Sequence, residues 1–348
     1  MKISEFKSGT SIQRLQYKSF EPNPVNIGWQ IDNPELIALL SEADIKIGEL
    51  NAFSQLIPDV DFFIKMHVLK EGTKSSRIEG TQTNIDEAIQ KEEYVQPEKR
   101  DDWQEVQNYV KAMNSSIHEL ETLPLSNRLL KHAHNTLLDG VRGTHKLPGE
   151  FRKSQNWIGG SSLADAAFIP PHQNSVDDLM ADLESFLHNS ADSLPHLIRI
   201  GIAHYQFETI HPFLDGNGRV GRLLITLYMV SNQLLYKPTL YLSDFFEKNR
   251  SVYYDNLSRV RTHNDLTQWL KFFLEGVRST SESSILTFKN IIRLRDEVED
   301  KLISLGKRQA LAKRLIQYLY SQPITDVNTI SEALTITFST ASRLVDNL

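Results

Sequence analysis

Twelve consecutive residues hold most of the chemistry in this chain: His211-Pro212-Phe213-Leu214-Asp215-Gly216-Asn217-Gly218-Arg219-Val220-Gly221-Arg222. His211 is the group here whose ordinary pKa lies near neutrality, so it is the candidate general base. Gly216 and Gly218 flank Asn217, which lets the backbone take positive φ and leaves its N–H groups unshielded. Val220, Leu223, Leu224, Leu227, Leu234 and Leu235 then recur at helical spacing, which puts the turn at a helix N-terminus. Exposed amides at the positive end of a helix dipole make an anion site. Arg219 and Arg222, three apart, are neighbours on the first turn, and their planar forks suit phosphate oxygens. Two arginines there oppose the dipole, a cost that makes sense only if an anion arrives. Asp215 is a hard oxygen ligand placed as a Mg²⁺ bridging to phosphate requires. The string is equipped to grip a metal–polyphosphate and to deprotonate something beside it.

The same string resembles the signature of the Fic family, His-x-Phe-x-(Asp/Glu)-Gly-Asn-Gly-Arg-x-x-Arg, at every defined position. Fic proteins mostly transfer AMP from ATP to a hydroxyl side chain of a target protein. The resemblance implies that His211 deprotonates a Ser, Thr or Tyr hydroxyl and that Asp215 holds Mg²⁺. Gly216, Asn217, Gly218 and Arg219 would bind the α- and β-phosphates of ATP, and Arg222 would orient the γ-phosphate. Phe213 would anchor the loop in the core. Two other readings stand beside this one. The first is removal of AMP, or transfer of another nucleotide or phosphate moiety. The second is a non-enzymatic DNA-binding regulator whose core senses nucleotide, against which an intact His211 argues.

Far upstream lies Ser75-Ser76-Arg77-Ile78-Glu79-Gly80-Thr81. By itself it reads as a capping box from Ser76 to Glu79, with Gly80 closing a short helix. Beside the active-site string, Ser75-x-x-x-Glu79-Gly80 also resembles the Fic inhibitory motif, (Ser/Thr)-x-x-x-Glu-(Gly/Asn). The resemblance implies that Glu79 pairs with Arg222, occupies the fork meant for the γ-phosphate, and misplaces ATP for in-line attack. Because the motif precedes the catalytic string, it resembles the class inhibited by an N-terminal helix of the same chain. Glu79 positions water for AMP removal in some relatives, so a dual role is open.

Two further segments bear on the site. Gly and Pro punctuate Leu147-Pro148-Gly149-Glu150-Phe151-Arg152, Trp157-Ile158-Gly159-Gly160 and Ala167-Phe168-Ile169-Pro170-Pro171, which reads as a β-hairpin or extended loop. These elements resemble the Fic flap, which docks the target by strand-like pairing; Phe168, Ile169 and Pro170 are the candidates for clamping the target residue beside His211. Tyr253-Tyr254-Asp255-Asn256-Leu257 resembles the adenine-pocket segment, with Tyr254 and Leu257 as contacts or as plain core. Some relatives carry asparagine where Arg261 falls, which argues against a hydrogen bond to adenine from that position.

The elements that must position these groups are mostly helical. Helical periodicity runs over Ile31 to Lys70, Asn84 to Glu93, Leu125 to Leu138, Val176 to His188, Leu194 to Ile210 and Leu266 to Arg278. The stretch from Leu194 to Ile210 is apolar nearly all round, so it should be buried and deliver His211 at its end. Lys91 to Glu105, charge-dense with Pro97 inside, reads as a connector. After Ser279-Thr280-Ser281-Glu282-Ser283-Ser284, three short helices (Ala310 to Ser321, Ile330 to Leu334, Phe338 to Leu348) resemble a helix-turn-helix, with Ser339 to Val345 as recognition helix. A winged version would continue into a β-hairpin past Leu348, so the domain is expected to be cut short before its wing. Basic and acidic residues nearly balance from Ile285 onward and the last helix offers only Arg343, so protein docking or dimerisation competes with DNA binding. The expected fold is mainly α: a Fic helical core with a small β-hairpin flap and a C-terminal (winged) helix-turn-helix-like domain. Its divisions are 1–105 (helical, carrying the inhibitory motif), 106–279 (catalytic core) and 285–348.

The whole chain sets outer bounds. Its 348 residues suffice for two or three cores. Hydrophobic content of 40% and charged content of 24% are those of an ordinary globular protein, and a net charge of −6 gives no general polyanion-binding field. There are no cysteines, which excludes disulfides and thiol chemistry and suits a reducing compartment. No signal-peptide pattern and no membrane-length apolar run is present, so a cytoplasmic location is expected. His132 and His134 should diverge on their helix, and neither they nor His204 and His211 make the spacing of a zinc hydrolase. A target protein is the expected partner, with self-modification and a homodimer burying the Glu79 helix as further expectations.

Overall fold

A computed structural model of the chain describes residues 1–346 except 57–59, 142–144, 192 and 323. It opens with an antiparallel hairpin, β1 (Gly9–Gln13) and β2 (Lys18–Pro22), in the register Gly9↔Pro22 to Gln13↔Lys18. Helices follow: α1 (Pro34–Leu56), α2 (Val60–Ile78), α3 (Ile85–Ile89), α4 (Arg100–Glu119), α5 (Asn127–Leu137), α6 (Val176–Leu187) and α7 (His196–Ile210). Then come α8 (Asn217–Ser231), α9 (Ser243–Lys248), α10 (Arg250–His263), α11 (Leu266–Ser304), α12 (Gln309–Ser321), α13 (Val327–Leu334) and α14 (Phe338–Val345). The mainly helical fold expected from the sequence is the one observed.

The local causes are readable. Asn84 caps α3 through a full capping box with Glu87, as its sequence signature requires. Ser126, Asp265, Asp326 and Thr337 accept the first-turn N–H bonds of α5, α11, α13 and α14. Helix α7 is buried from Leu197 to Ile210, so it has no polar face to show. It lies in the main core against α6, α8 and the first turns of α11, where the indole of Trp269 donates to the Gly201 carbonyl at 2.8 Å. Truncating a Leu or Ile of α7 to Ala therefore costs about 2–5 kcal/mol.

Several boundaries differ from the sequence reading. The hairpin at residues 9–22 falls in a region expected to be helical. Its β1 strand, Gly-Thr-Ser-Ile-Gln, is almost wholly exposed and lacks the alternation that marks a strand. The expected connector from Lys91 to Glu105 ends early: Pro97 opens a short 3₁₀ turn, and α4 begins at Arg100. Residues 279–284 do not separate domains, because α11 runs unbroken through them. Their hydroxyls are accommodated inside the helix, as when Ser281 donates to the Val277 carbonyl at 2.7 Å. A separate small core does form further on, from Leu302, Ala312, Leu315, Ile330, Leu334, Ala341 and Leu344. The single helix read from Ile31 to Lys70 is divided between α1 and α2, with residues 57–59 outside the described set. Likewise, α14 ends at Val345, and 347–348 are outside it.

Candidate active site

The loop after α7 is fixed from several sides. His211 caps α7 in the left-handed region at φ 51°, while its N–H still reaches the Phe207 carbonyl at 2.9 Å. A non-glycine residue there stores about 1–3 kcal/mol, so neighbouring bonds must hold it. Arg152, fully buried, donates from Nε to the His211 carbonyl at 2.9 Å and from Nη2 to the Pro171 carbonyl at 2.6 Å. Asn156 Nδ2 donates to the carbonyls of His211 (3.1 Å) and Phe213 (2.9 Å). The Phe213 ring is the core anchor, stacked on His134 with centroids 3.8 Å apart and flanked by Phe151 and Phe207. His134 Nδ1 accepts from the Gly149 N–H at 2.9 Å, so Nε2 carries the proton and donates to the Asp215 carbonyl at 3.0 Å.

The turn itself does what its composition requires. Gly216 sits at φ 73° as the N-cap of α8 and offers no side chain, so the first-turn N–H groups of α8 are not capped by it. The Asn217 side chain is spent on the loop: Oδ1 accepts from the Phe213 N–H and Nδ2 donates to the Phe213 carbonyl, both at 2.8 Å. That leaves its backbone N–H, not its amide side chain, as its contribution to an anion. Asp215 Oδ1 accepts from the Gly216 N–H at 2.6 Å and lies 3.8 Å from Arg219 Nη2, with the side chain part-exposed. Among the described residues no three His, Asp or Glu side chains converge to hold a metal. A single carboxylate beside an anion cradle nevertheless fits Mg²⁺, which typically takes one or two carboxylates plus phosphate oxygens.

Both motif arginines are held by acids from the N-terminal region. Arg222, 2% exposed, donates from Nε to Ser75 Oγ (2.9 Å) and from Nη2 to the Ser75 carbonyl (2.9 Å) and Glu79 Oε1 (2.7 Å). Burial raises the Glu79 pKa, but the charge and hydrogen bond of Arg222 outweigh it and hold the carboxyl below its ordinary value. Glu79 and Gly80 lie just past the end of α2, where Gly80 takes φ 106°. The capping-box reading of Ser76 and Glu79 therefore fails: they end a helix instead of starting one, and the Ser76 hydroxyl is buried without a partner. Arg219 Nη1 lies 3.5 Å from Glu105 Oε2, which also accepts from the Thr81 hydroxyl at 2.8 Å.

His211, the candidate base, and its surroundings are desolvated. Burial pushes the His211 pKa down to about 3; the Glu79 charge opposes this, while Arg261 and Arg152 add to it. The imidazole is thus neutral near pH 7 and able to accept a proton. One turn back on α7, Glu208 is buried with Oε1 unpartnered, and burial raises its pKa to about 7 against the pull of Arg222. His204 is a core residue, bonded to the Gly221 carbonyl and the Tyr253 hydroxyl, both at 2.9 Å. His132 points elsewhere, to Glu119 at 3.0 Å.

The flap forms no strand of its own. Ile158 and Phe168 make one antiparallel bridge, and the Ile169 carbonyl accepts from the Phe20 N–H of β2 at 2.9 Å. The β2 strand also supplies Glu21, whose Oε1 accepts from the His172 N–H at 2.9 Å. Phe168 lies under the Arg261 guanidinium at 3.9 Å and beside Phe20, while Pro170 is buried behind it. Arg261 further donates to Thr209 Oγ1 at 3.2 Å, so it ties the flap to α7. Leu257 is sealed in the main core, whereas Tyr254 is 37% exposed beside Tyr253 and senses the charges of Glu79 and Arg222. Of the two adenine candidates, only Tyr254 keeps an open face.

Sequence reasoning missed Arg152, Asn156, Glu105 and Glu208. Arg152 was within sight as the last residue of the Pro-Gly-x-Phe-Arg string; the other three carry no local signal.

Comparison with known proteins gives the family and the fold neighbours of this chain. A model described as Fic/DOC family N-terminal matches residues 37–118, and one described as Fic/DOC family matches 124–229. The protein adenylyltransferase Fic of Culex quinquefasciatus is 32% identical over 169 residues, 48% of this chain and 29% of that protein. Its counterpart in Drosophila melanogaster is 32% identical over 162 residues, 46% of this chain and 28% of that protein. The chain thus spans under a third of the length of these relatives. A Fic family protein from Desulfovibrio desulfuricans G20 superposes with a TM-score of 0.60 at 25% identity, covering 74% of this chain and 76% of that one. Fic-1 from C. elegans gives 0.52 at 22% identity over 75% and 74%, a likeness of fold alone. Glu79 lies within the first matched segment and Arg222 within the second, so the pair joins the two parts by which this chain belongs to the Fic/DOC family.

Proposed function

We propose that the chain is a protein adenylyltransferase held inactive by its own Glu79. The observation that carries this reading is the Arg222 guanidinium, buried beside an uncapped helix N-terminus and closed by Ser75 and Glu79. ATP would lie with its α- and β-phosphates on the N–H groups of Gly216 to Arg219 and on the Arg219 side chain. Arg222 would take the γ-phosphate. Asp215 would hold Mg²⁺, which when bound offsets phosphate charge. His211 accepts the proton of a target hydroxyl as that oxygen attacks the α-phosphorus, and the bond to pyrophosphate breaks. Catalysis is mostly positioning and charge stabilisation. Phe168, Ile169 and Pro170 would hold the target segment, and Tyr254 would face the adenine.

With Glu79 in the Arg222 fork, the γ-phosphate has no seat, and ATP binds with its α-phosphorus out of line. Removal of AMP is the second reading, favoured by Glu79 itself: a charged carboxylate, its side chain 35% exposed, close enough to His211 for the two to interact electrostatically. We read α12–α14 as a helix-turn-helix-like docking unit, with the lone Arg343 on α14 favouring protein over DNA.

The test is to incubate wild type, Glu79→Gly and Glu79→Gly/His211→Ala with Mg²⁺ and ATP labelled at the α-phosphate. Label on Glu79→Gly that disappears in the double variant supports an inhibited adenylyltransferase. Absence of label on all three, with ATP bound, moves the assignment to AMP removal or nucleotide sensing.

A further inference from the structure

A cavity of about 240 Å³ opens behind the inhibitory segment, between α2, the start of α9 and the middle of α11. It contains none of the motif residues. Its mouth carries an excess of positive charge. Lys248, Lys74 and Lys70 converge on Asp244 at 2.8, 3.3 and 3.7 Å, and Glu247 is shared by Lys74 (3.2 Å) and Arg77 (3.9 Å). Four cations thus face three carboxylates, because Glu71, which accepts from the Ser243 and Tyr109 hydroxyls, also lines the cavity; the cluster keeps a net positive charge that a further anion would offset. Tyr241 lines the cavity, 6% exposed, and its hydroxyl is buried with no hydrogen-bond partner, a cost of about the size of one lost bond. Ser279, Ser283 and Thr287, four apart along α11, line the opposite wall with hydroxyls. A cationic rim, an unpartnered phenol and a hydroxyl-lined wall together describe a phosphate group joined to a small polyhydroxylated body.

We propose that this cavity binds a phosphorylated small molecule of about the size of a sugar monophosphate, and that its occupancy acts on the Glu79–Arg222 pair through α2. Lys74 is the residue immediately before Ser75, whose hydroxyl and carbonyl both hold Arg222. Arg77, on the same last turn of α2, stands two residues before Glu79. A phosphate that draws Lys74 and Arg77 away from Glu247 pulls on the turn that presents Ser75 and Glu79. This second half rests on the inhibitory reading of Glu79; the binding site does not.

The experiment is calorimetric titration of the full chain with ribose 5-phosphate, with ADP saturating so that the nucleotide cradle is filled. Ribose 5-phosphate should bind at one site, ribose without phosphate should not, and affinity should fall tenfold or more in Lys70→Ala/Lys248→Ala. Tyr241→Phe, which removes only the unpartnered hydroxyl, should weaken binding several-fold. No binding of ribose 5-phosphate, or binding unmoved by these variants, overturns the site. Self-labelling from ATP is then followed with and without the same probe. A change of at least threefold in wild type that is absent in Glu79→Gly supports the coupling, and binding with no such change overturns it. If Glu79→Gly takes no label under any condition, the adenylyltransferase reading fails, while the calorimetric result still decides the site.

Discussion

A β-carbon on residue 218 would stand 2.2 Å from Glu79 Oε1 and 2.9 Å from Arg222 Nη1, so Gly218 and the Glu79 carboxylate share one volume. The glycine is thus needed for the Glu79–Arg222 pair, in addition to the phosphate approach proposed for it. Gly218→Ala should force Glu79 off Arg222 and cost about 1–3 kcal/mol through overpacking. In a Glu79→Gly background the same change should cost less, because the clashing oxygens are gone and alanine is the better helix former. Urea unfolding of the four proteins checks this. An interaction energy of roughly 1–2 kcal/mol is expected; strict additivity would show that the two residues do not compete.

Ser75 holds Arg222 by two atoms, its hydroxyl and its carbonyl, and Glu79 by one. Ser75→Ala removes only the hydroxyl acceptor, leaving a buried guanidinium donor unmet at about 1–3 kcal/mol. The Glu79–Arg222 arrangement, inhibitory on the proposed reading, should loosen without being lost. Initial rates of self-labelling should therefore rise about five- to 150-fold over wild type, below the rate of Glu79→Gly. Equal rates in the two variants would mean that Ser75, not the carboxylate, closes the fork.

Glu208 gives a pH signature. Burial places its folded pKa at about 7, above the ordinary 4.5. Between those values the folded state binds more protons than the unfolded one, so the stability from a protonated Glu208 is full below pH 4.5 and is lost as pH rises through 7. Glu208→Gln, of the same shape and uncharged, should remove this slope. Wild type should lose on the order of 2 kcal/mol more than the variant between pH 5 and pH 8 by urea denaturation. Parallel pH curves would show that Glu208 is ionised in the fold. Glu79 behaves in the opposite sense: its lowered pKa means that the pair with Arg222 is intact above pH 4.5 and fails only in acid, so the ratio of Glu79→Gly to wild-type labelling should stay flat from pH 6 to 8.

What the sequence made legible follows from how local each signal is. The base, the glycine turn and both arginines lie within twelve residues, and a loop feeding a helix is a local structure, so their arrangement could be read directly. Glu79 was reached because its spacing from Ser75 and Gly80 resembles a motif; its capping-box reading was wrong because a helix end and a helix start can share the same four residues. Glu105 and Asn156 were invisible, since nothing near them in sequence announces that Arg219 or the His211 carbonyl will arrive from far along the chain. The 279–284 stretch misled for a different reason. Serine-rich segments read as linkers, yet here the hydroxyls bond back to the helix's own carbonyls and α11 continues. The hairpin at 9–22 was missed because its exposed strand, β1, has no periodicity to detect, although its other strand, β2, bonds to the flap.

That bond yields the last prediction. An extended target segment would add to the flap through backbone bonds, and the Ile169 carbonyl is already taken by Phe20 N–H. If Phe168 to Pro170 dock a target strand as proposed, the hairpin occupies part of the edge that strand would need, independently of anything at Arg222. Phe20→Pro removes the donor and cannot remake that bond. In a Glu79→Gly background it should raise the rate at which an added hydroxyl-bearing peptide is labelled, by about three- to tenfold if one net hydrogen bond of about 1 kcal/mol held the edge closed. Protease cleavage between residues 158 and 168 should quicken as well, because the flap loses its second backbone tie. Phe20→Ala separates the two contributions of this residue: it keeps the N–H and loses the ring that packs against Phe168 at 5.9 Å. Peptide labelling that falls in Phe20→Pro, with self-labelling unchanged, would mean that the hairpin supports the docking edge instead of covering it.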